Sequence, residues 1–247
     1  MYIKCPEPYH QRLNDVIHAI FEGDESYLSL LGHLFWVIVK ESPELITSDQ
    51  VDHLFTCIND RSNLGQQLHM IFQGLSFVAT AKPQLFTKHQ ETLKRFIVEE
   101  QNFSAYECFK QYLLASTIIG GEQVADESLS ILINLIRNNK RLTNEIRSQI
   151  FYTCQMIGVI NKTALKNKRV EFLEFNTFTE CRSLIDFIDG NQQSEENQAM
   201  LKRTKNEIVQ IEKRVVKTEA DVLRVDKTVK RQELKVMNCV FLLKRFH

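Results

Sequence analysis

The sequence predicts an all-α chain, a helical-repeat array followed by a long basic helix with a heptad pattern. Three observations carry the prediction. Glycine and proline number only 8 and 4 in 247 residues, where average usage would give roughly 17 and 12, so few positions are marked for tight turns or sharp stops. From residue 7 onward, apolar residues recur at helical spacing in segment after segment. A boundary built around one proline returns around another 40 residues later.

The first segment holds Leu13, Val16, Ile17, Ile20 and Phe21, a one-faced stripe closed by Gly23-Asp24. The second, Leu28 to Val39, is apolar nearly all round, as a helix buried between neighbours should be, and ends at Pro43. Thr47 with Gln50 reads as a capping box ahead of Val51, Leu54, Phe55 and Ile58. The order then repeats: Leu68, Ile71, Phe72, Leu75 and Val78 line an apolar helix, Pro83 stops it, and Thr87 with Gln90 opens the next. Pro43 aligns with Pro83, Leu45 with Leu85, Thr47 with Thr87 and Gln50 with Gln90, all 40 apart. That period falls in the range of two-helix HEAT and armadillo repeats, about 40 to 47 residues. Later units are looser. Phe103 to Ile119 is expected to end on Gly120-Gly121, and Asp126 to cap a helix through Leu129, Leu132, Ile133 and Ile136. Thr143 is expected to open a helix with Ile146, Ile150, Cys154 and Ile157. Thr177 with Glu180 reads as a capping box before Leu184, Ile185 and Ile188, closed by Gly190. Residues 1–190 thus read as a HEAT/armadillo-like solenoid of about five helix pairs.

Residues 191–197 read as a polar linker. Beyond them Leu201, Ile208, Val215, Val222, Val229 and Val236 fall seven apart, with Thr204, Ile211, Thr218, Val225 and Gln232 at the complementary positions. This is a coiled-coil heptad over residues 198–236 with polar intrusions. A parallel homodimer in that register would oppose Glu207 to Glu212 and Asp221 to Asp226, which argues against self-pairing. Three courses remain for this helix: it binds a different helix, packs back on its own solenoid, or awaits a partner. Ile208, Ile211, Val215, Val222 and Val225 are the candidate partner-binding residues. Residues 237–247 form a short apolar tail, too short to span a bilayer.

Charge excludes little globally, because Lys plus Arg and Asp plus Glu both number 31. Residues 191–247 nevertheless carry 13 basic against 8 acidic side chains. The interspersed acids, and the lack of any aromatic between Asn191 and Asn238, speak against nucleic acid. The six cysteines lie far apart, with no C-x-x-C pair, and read as small hydrophobes in a reducing compartment. No phosphate-cradle, dinucleotide, zinc-protease or nucleophile-elbow motif occurs. His18, His33, His53 and His69 sit on or beside helical stripes and read as packed neighbours, not ligands. Glu99-Glu100 and Glu195-Glu196, adjacent on a helix, point about 100° apart and read as solvated surface. No catalytic, cofactor-binding or metal-ligating residue is expected, nor a small-molecule substrate. Asn102 and Asn161 match the glycosylation sequon, a three-residue pattern without weight unless the chain is secreted.

The phrases Val-Lys-Glu-Ser-Pro-Glu-Leu at 39–45 and Phe-Val-Ala-Thr-Ala-Lys-Pro-Gln-Leu-Phe at 77–86 resemble the helical repeat region of the Melted family, the ventricular zone-expressed PH domain-containing proteins. The resemblance implies an armadillo-like array and a membrane-recruited adaptor in insulin, TOR and growth-factor signalling. The family pattern ends in a pleckstrin-homology domain, which does not follow here, and both ends read as cut from a longer protein. The expectation is a cytoplasmic signalling adaptor, recruited to the plasma membrane in its full-length parent, that binds protein partners through the solenoid and the tail helix. The alternative is a peripheral membrane module that holds anionic lipid through the basic tail.

Overall fold

The computed structural model of the chain describes residues 13–20, 28–60, 67–191, 198–199 and 201–217, and every regular element among them is helical. The α-helices are α1 (residues 13–20), α2 (Leu28–Glu41), α3 (Ser48–Asp60), α4 (Gln67–Ala81), α5 (Gln90–Val98), α6 (Phe103–Asn138), α7 (Asn144–Ile160), α8 (Lys162–Asn167), α9 (Arg169–Phe172), α10 (Thr179–Asp189) and α11 (residues 201–217). Short 3-10 segments run over Pro43–Leu45, Pro83–His89 and Leu173–Phe175.

The two prolines occupy the same turn. A residue before proline is pushed out of the helical region, and Ser42 (φ −144°, ψ 65°) and Lys82 (φ −136°, ψ 64°) both comply, leaving each proline at the first position of a 3-10 turn. The hydrogen bonds match as well. Ser42 N–H donates to the Ile38 carbonyl (3.0 Å) and Lys82 N–H to that of Val78 (2.7 Å). Leu45 N–H donates to Ser42 (3.2 Å) and Leu85 N–H to Lys82 (3.1 Å). The two turns are also joined, because the Lys82 ammonium donates to the Glu44 and Ile46 carbonyls at 2.7 and 2.8 Å. Burial lowers the Lys82 pKa, and Glu44 opposes that shift.

Local signals were met unevenly. Thr47 and Gln50 form the reciprocal box: Gln50 N–H donates to Thr47 Oγ1 at 3.3 Å, and Thr47 N–H to Gln50 Oε1 at 2.8 Å. Thr143 caps α7 through Ile146 N–H (3.3 Å), and Gly190 closes α10 in the left-handed region at φ 80°. Three expectations fail. Thr87 lies inside the 3-10 segment that runs straight into α5, and Gln90 instead donates to the Tyr112 hydroxyl at 2.7 Å. Asp126 opens no helix: the chain bends at Gly121 (φ 67°, ψ −146°), a conformation that only glycine adopts without strain, and α6 continues on both sides as two arms. Asp126 pairs with Lys168 at 3.1 Å. Thr177 and Glu180 form no box, because α10 starts at Thr179 after an uncapped Phe178, and Glu180 accepts from Ser148 Oγ at 2.6 Å.

The helices pack in two rows. In one, α1 meets α3 through Asn14 with Gln50 and Cys57 with Ile20, and α3 meets the following 3-10 segment and α5 through Asp52 with His89 and Asn59 with Arg95. The other row is α2, α4, the first arm of α6, and α7. α2 and α4 meet at Gly74, where a Cβ would lie 2.5 Å from Phe35 Cε1, so a larger residue there would displace the Phe35 ring. Tyr106, buried in the first arm of α6, ties to α7 by donating to the Gln149 carbonyl at 2.8 Å.

Leu75 is fully buried between these rows. Leu75→Ala should therefore destabilise the chain by about 2–5 kcal/mol, read as a fall in the urea midpoint; an unchanged midpoint would refute its core placement.

A second prediction comes from Asp52, which contacts Lys88 and sits 2.7 Å from His89 Nε2, whose ring stacks on Phe55. Desolvation raises the Asp52 carboxyl, but bonds from Lys88 and His89 outweigh it and bring the pKa below 3.8. Burial pulls His89 below 6.5 despite the opposing Asp52. Both groups therefore bind more protons when unfolded. Their stabilisation is complete above the unfolded pKa of each, and falls as pH drops below about 6.5 for His89 and below about 4 for Asp52. His89→Gln should flatten the decline in urea midpoint between about pH 7 and pH 5; an unaltered slope would show that the His89 environment does not couple to folding.

Candidate partner-binding face

The heptad helix does not stand apart from the helices before it. Over residues 201–217 it takes the second of its three courses and packs back on its own chain. Ile208, Ile211 and Val215, with relative exposures of 5%, 5% and 4%, belong to the same apolar core as α4, α6 and α7. As placed, these three candidate partner-binding residues already have an occupant's contacts, and a partner would have to displace α11 to reach them. Val222 and Val225 lie outside the described residues, as do the linker residues 192–197 and the apolar tail.

The geometry of the seat is set by three helices. Thr204, at a complementary heptad position, is fully buried, and its hydroxyl donates to the Tyr152 hydroxyl on α7 at 3.3 Å. Burial raises the Tyr152 pKa, with the Thr204 bond opposing it, so the phenol remains a neutral partner. Ten residues further on, the Arg214 guanidinium lies over the Phe77 ring of α4, 5.4 Å from its centroid. Tyr152 and Phe77 stand on helices that flank the first arm of α6 in the row. α11 therefore crosses that row from α7 towards α4 as its numbering rises. The sequence identified the stripe but read Thr204 as a flaw in it. A buried threonine opposite a tyrosine hydroxyl is instead a satisfied polar pair, and its only advance signal was its place in an otherwise apolar register.

Little else among the described residues is arranged for chemistry. Among the described residues, no group of three or more His, Cys, Asp or Glu side chains is placed to hold a metal ion, and no helix is long and apolar enough to cross a membrane. Burial pushes the Cys181 thiol up to about 12 and those of Cys108 and Cys154 higher still, so they stay protonated. His69 contacts Ser104, and His33 lies against Trp36 with ring centroids 5.4 Å apart. A cleft of ≈670 Å³ beside Arg137, Lys140 and Arg141 is basic, but Arg137 is engaged by both carboxylate oxygens of Glu174 at 3.0 and 3.1 Å. No family model, curated protein or solved structure matches the chain.

Replacing Ile208, Ile211 and Val215 together by Ser should release α11 without melting the rows beneath it, since polar groups would then replace its whole buried stripe. Amide hydrogen exchange should accelerate across residues 201–217 and stay slow in α6. Equal acceleration in both would mean that α11 and the rows form one cooperative unit; no acceleration would contradict the burial.

Proposed function

We propose that this chain is a cytoplasmic signalling adaptor, a HEAT/armadillo-like scaffold that binds protein partners by receiving helices with an apolar stripe on the face made by α4, the first arm of α6 and α7. One observation carries the reading: that face already holds such a helix, with Ile208, Ile211 and Val215 as its anchors. Anchors at i, i+3 and i+7 in a shallow apolar seat are the signature of helix-in-groove recognition. The 40-residue recurrence of the proline turn supports a repeat scaffold, and the resemblance to the Melted family supplies the signalling context. Specificity on this face would come from Tyr152 and Phe77, which favour a hydroxyl and a guanidinium ten residues apart on the bound helix.

The reading is tested with the full chain. Carrying the three serine substitutions in α11, it should bind a synthetic peptide of residues 198–217 in trans, measured by calorimetry, while the unaltered chain, its face occupied, should bind far less. Failure of the substituted chain to bind the peptide would remove the face as a helix receptor.

A further inference from the structure

Packing on the row sorts the charges of α11. At about 100° per residue, the half of the helix opposite Ile208, Ile211 and Val215 carries Lys202, Arg203, Lys213, Arg214 and Lys217 and no acidic side chain. The acids of residues 201–217 are Glu207 and Glu212, and they fall outside that half, one beyond each border. Charges that alternate along the chain are thus separated around the helix.

The outward cations are open to a partner. Lys202, Lys213 and Lys217 are exposed and form no ion pair with a described residue. Arg203 reaches Glu207 at 3.4 Å, but with 78% of its side chain exposed the pair is a screened surface contact. On one edge of the same half, beside Lys202 and Lys213, Val209 and Val216 are exposed by 42% and 62%. Two valines seven residues apart share a side of the helix.

Shape and charge together select the partner. Because α11 crosses over the row, its outward half is a ridge, about 22 Å long from Lys202 to Lys217. Lys202 and Arg203 diverge by about 100°, with Lys213 and Lys217 between them, a wider band than the seam of a helix pair. A broad cationic ridge meets a flat anionic surface along its whole length. Lysine stems can lie on that surface with their ammonium groups among the headgroups, and apolar side chains beside them enter the boundary below. Nucleic acid is a poorer fit, since residues 201–217 hold no aromatic ring to stack a base.

We propose that the outward half of α11 is a membrane-contact surface that lays the helix flat on anionic phospholipid, with Lys202, Arg203, Lys213 and Lys217 among the headgroups and Val209 and Val216 entering the interface. The surface is on the side of α11 away from the row, so it does not rest on the helix-receptor reading.

The test uses the full chain. It should co-sediment with vesicles of equimolar phosphatidylcholine and phosphatidylserine but not with phosphatidylcholine alone, and raised salt should weaken the binding. A basic residue near an anionic surface is worth about five-fold in affinity, so Lys202→Gln, Lys213→Gln and Lys217→Gln together should weaken binding on the order of a hundred-fold, with far-ultraviolet dichroism unchanged. Lys140→Gln with Arg141→Gln, exposed cations of the α6–α7 turn, should leave binding as it was. No sedimentation with the anionic vesicles, or an equal loss in the two variants, overturns the proposal. A second measurement keeps the lysines intact: with Cys5 and Cys239 changed to Ser and the described cysteines buried, an environment-sensitive fluorophore on Val209→Cys should shift to shorter wavelength on the anionic vesicles. An unmoved spectrum also overturns the proposal. So does binding to polyglutamate without binding to vesicles, which would give the face to an acidic protein segment.

Discussion

The arrangement rests on one turn made twice. In each copy a residue forced into an extended conformation by the following proline ends a helix, and the proline starts a 3-10 turn that redirects the chain. The two copies are also bonded to each other: the Lys82 ammonium satisfies the Glu44 and Ile46 carbonyls of the earlier turn. Carbonyls at the end of a short helical turn need partners when half-buried, and a lysine from the next unit provides them. The spacing between units is thereby fixed by hydrogen bonding at their ends, and the apolar faces between them meet in a fixed register.

That register explains why α2 and α4 approach so closely. With both helices ended by the same turn, Phe35 and Val39 project onto Gly74, and the missing Cβ makes room for their side chains. Both rows combine apolar packing with polar ties: in the other row Asp52 meets Lys88 and His89 and Arg95 meets Asn59 while Phe55 packs on Phe86 and His89, and in this one Thr80 donates to Gln111 and Tyr106 to the Gln149 carbonyl. α11 lies on this row through Ile208, Ile211 and Val215.

What the sequence revealed divides along the range of the interactions. The Thr47–Gln50 box, the Thr143 cap and the Gly190 closure depend on atoms three or four residues apart, and each could be read from the chain. Thr177 with Glu180 has the same spacing, but Ser148 of α7 competes for the carboxylate, and Phe178 is drawn towards Phe151 and Arg147. Gln90 was likewise taken by the Tyr112 hydroxyl. Tertiary partners outbid local ones in both cases, and nothing within four residues announces them. The heptad stripe of α11 was plain, since it is periodic; which surface it met was not, because periodicity states that a face is apolar and leaves its complement unnamed.

The chain has a single tryptophan, Trp36, half-buried on α2 with Lys40 over its ring at 4.8 Å. Its emission thus reports one helix, α2, while far-ultraviolet dichroism sums over all of them. A helix near one end of a helical chain can open before the rest. Following the two signals through the same denaturant titration would compare the opening of that helix with the melting of the whole, and the gap between the curves would measure, without any label, how far cooperativity extends along the chain.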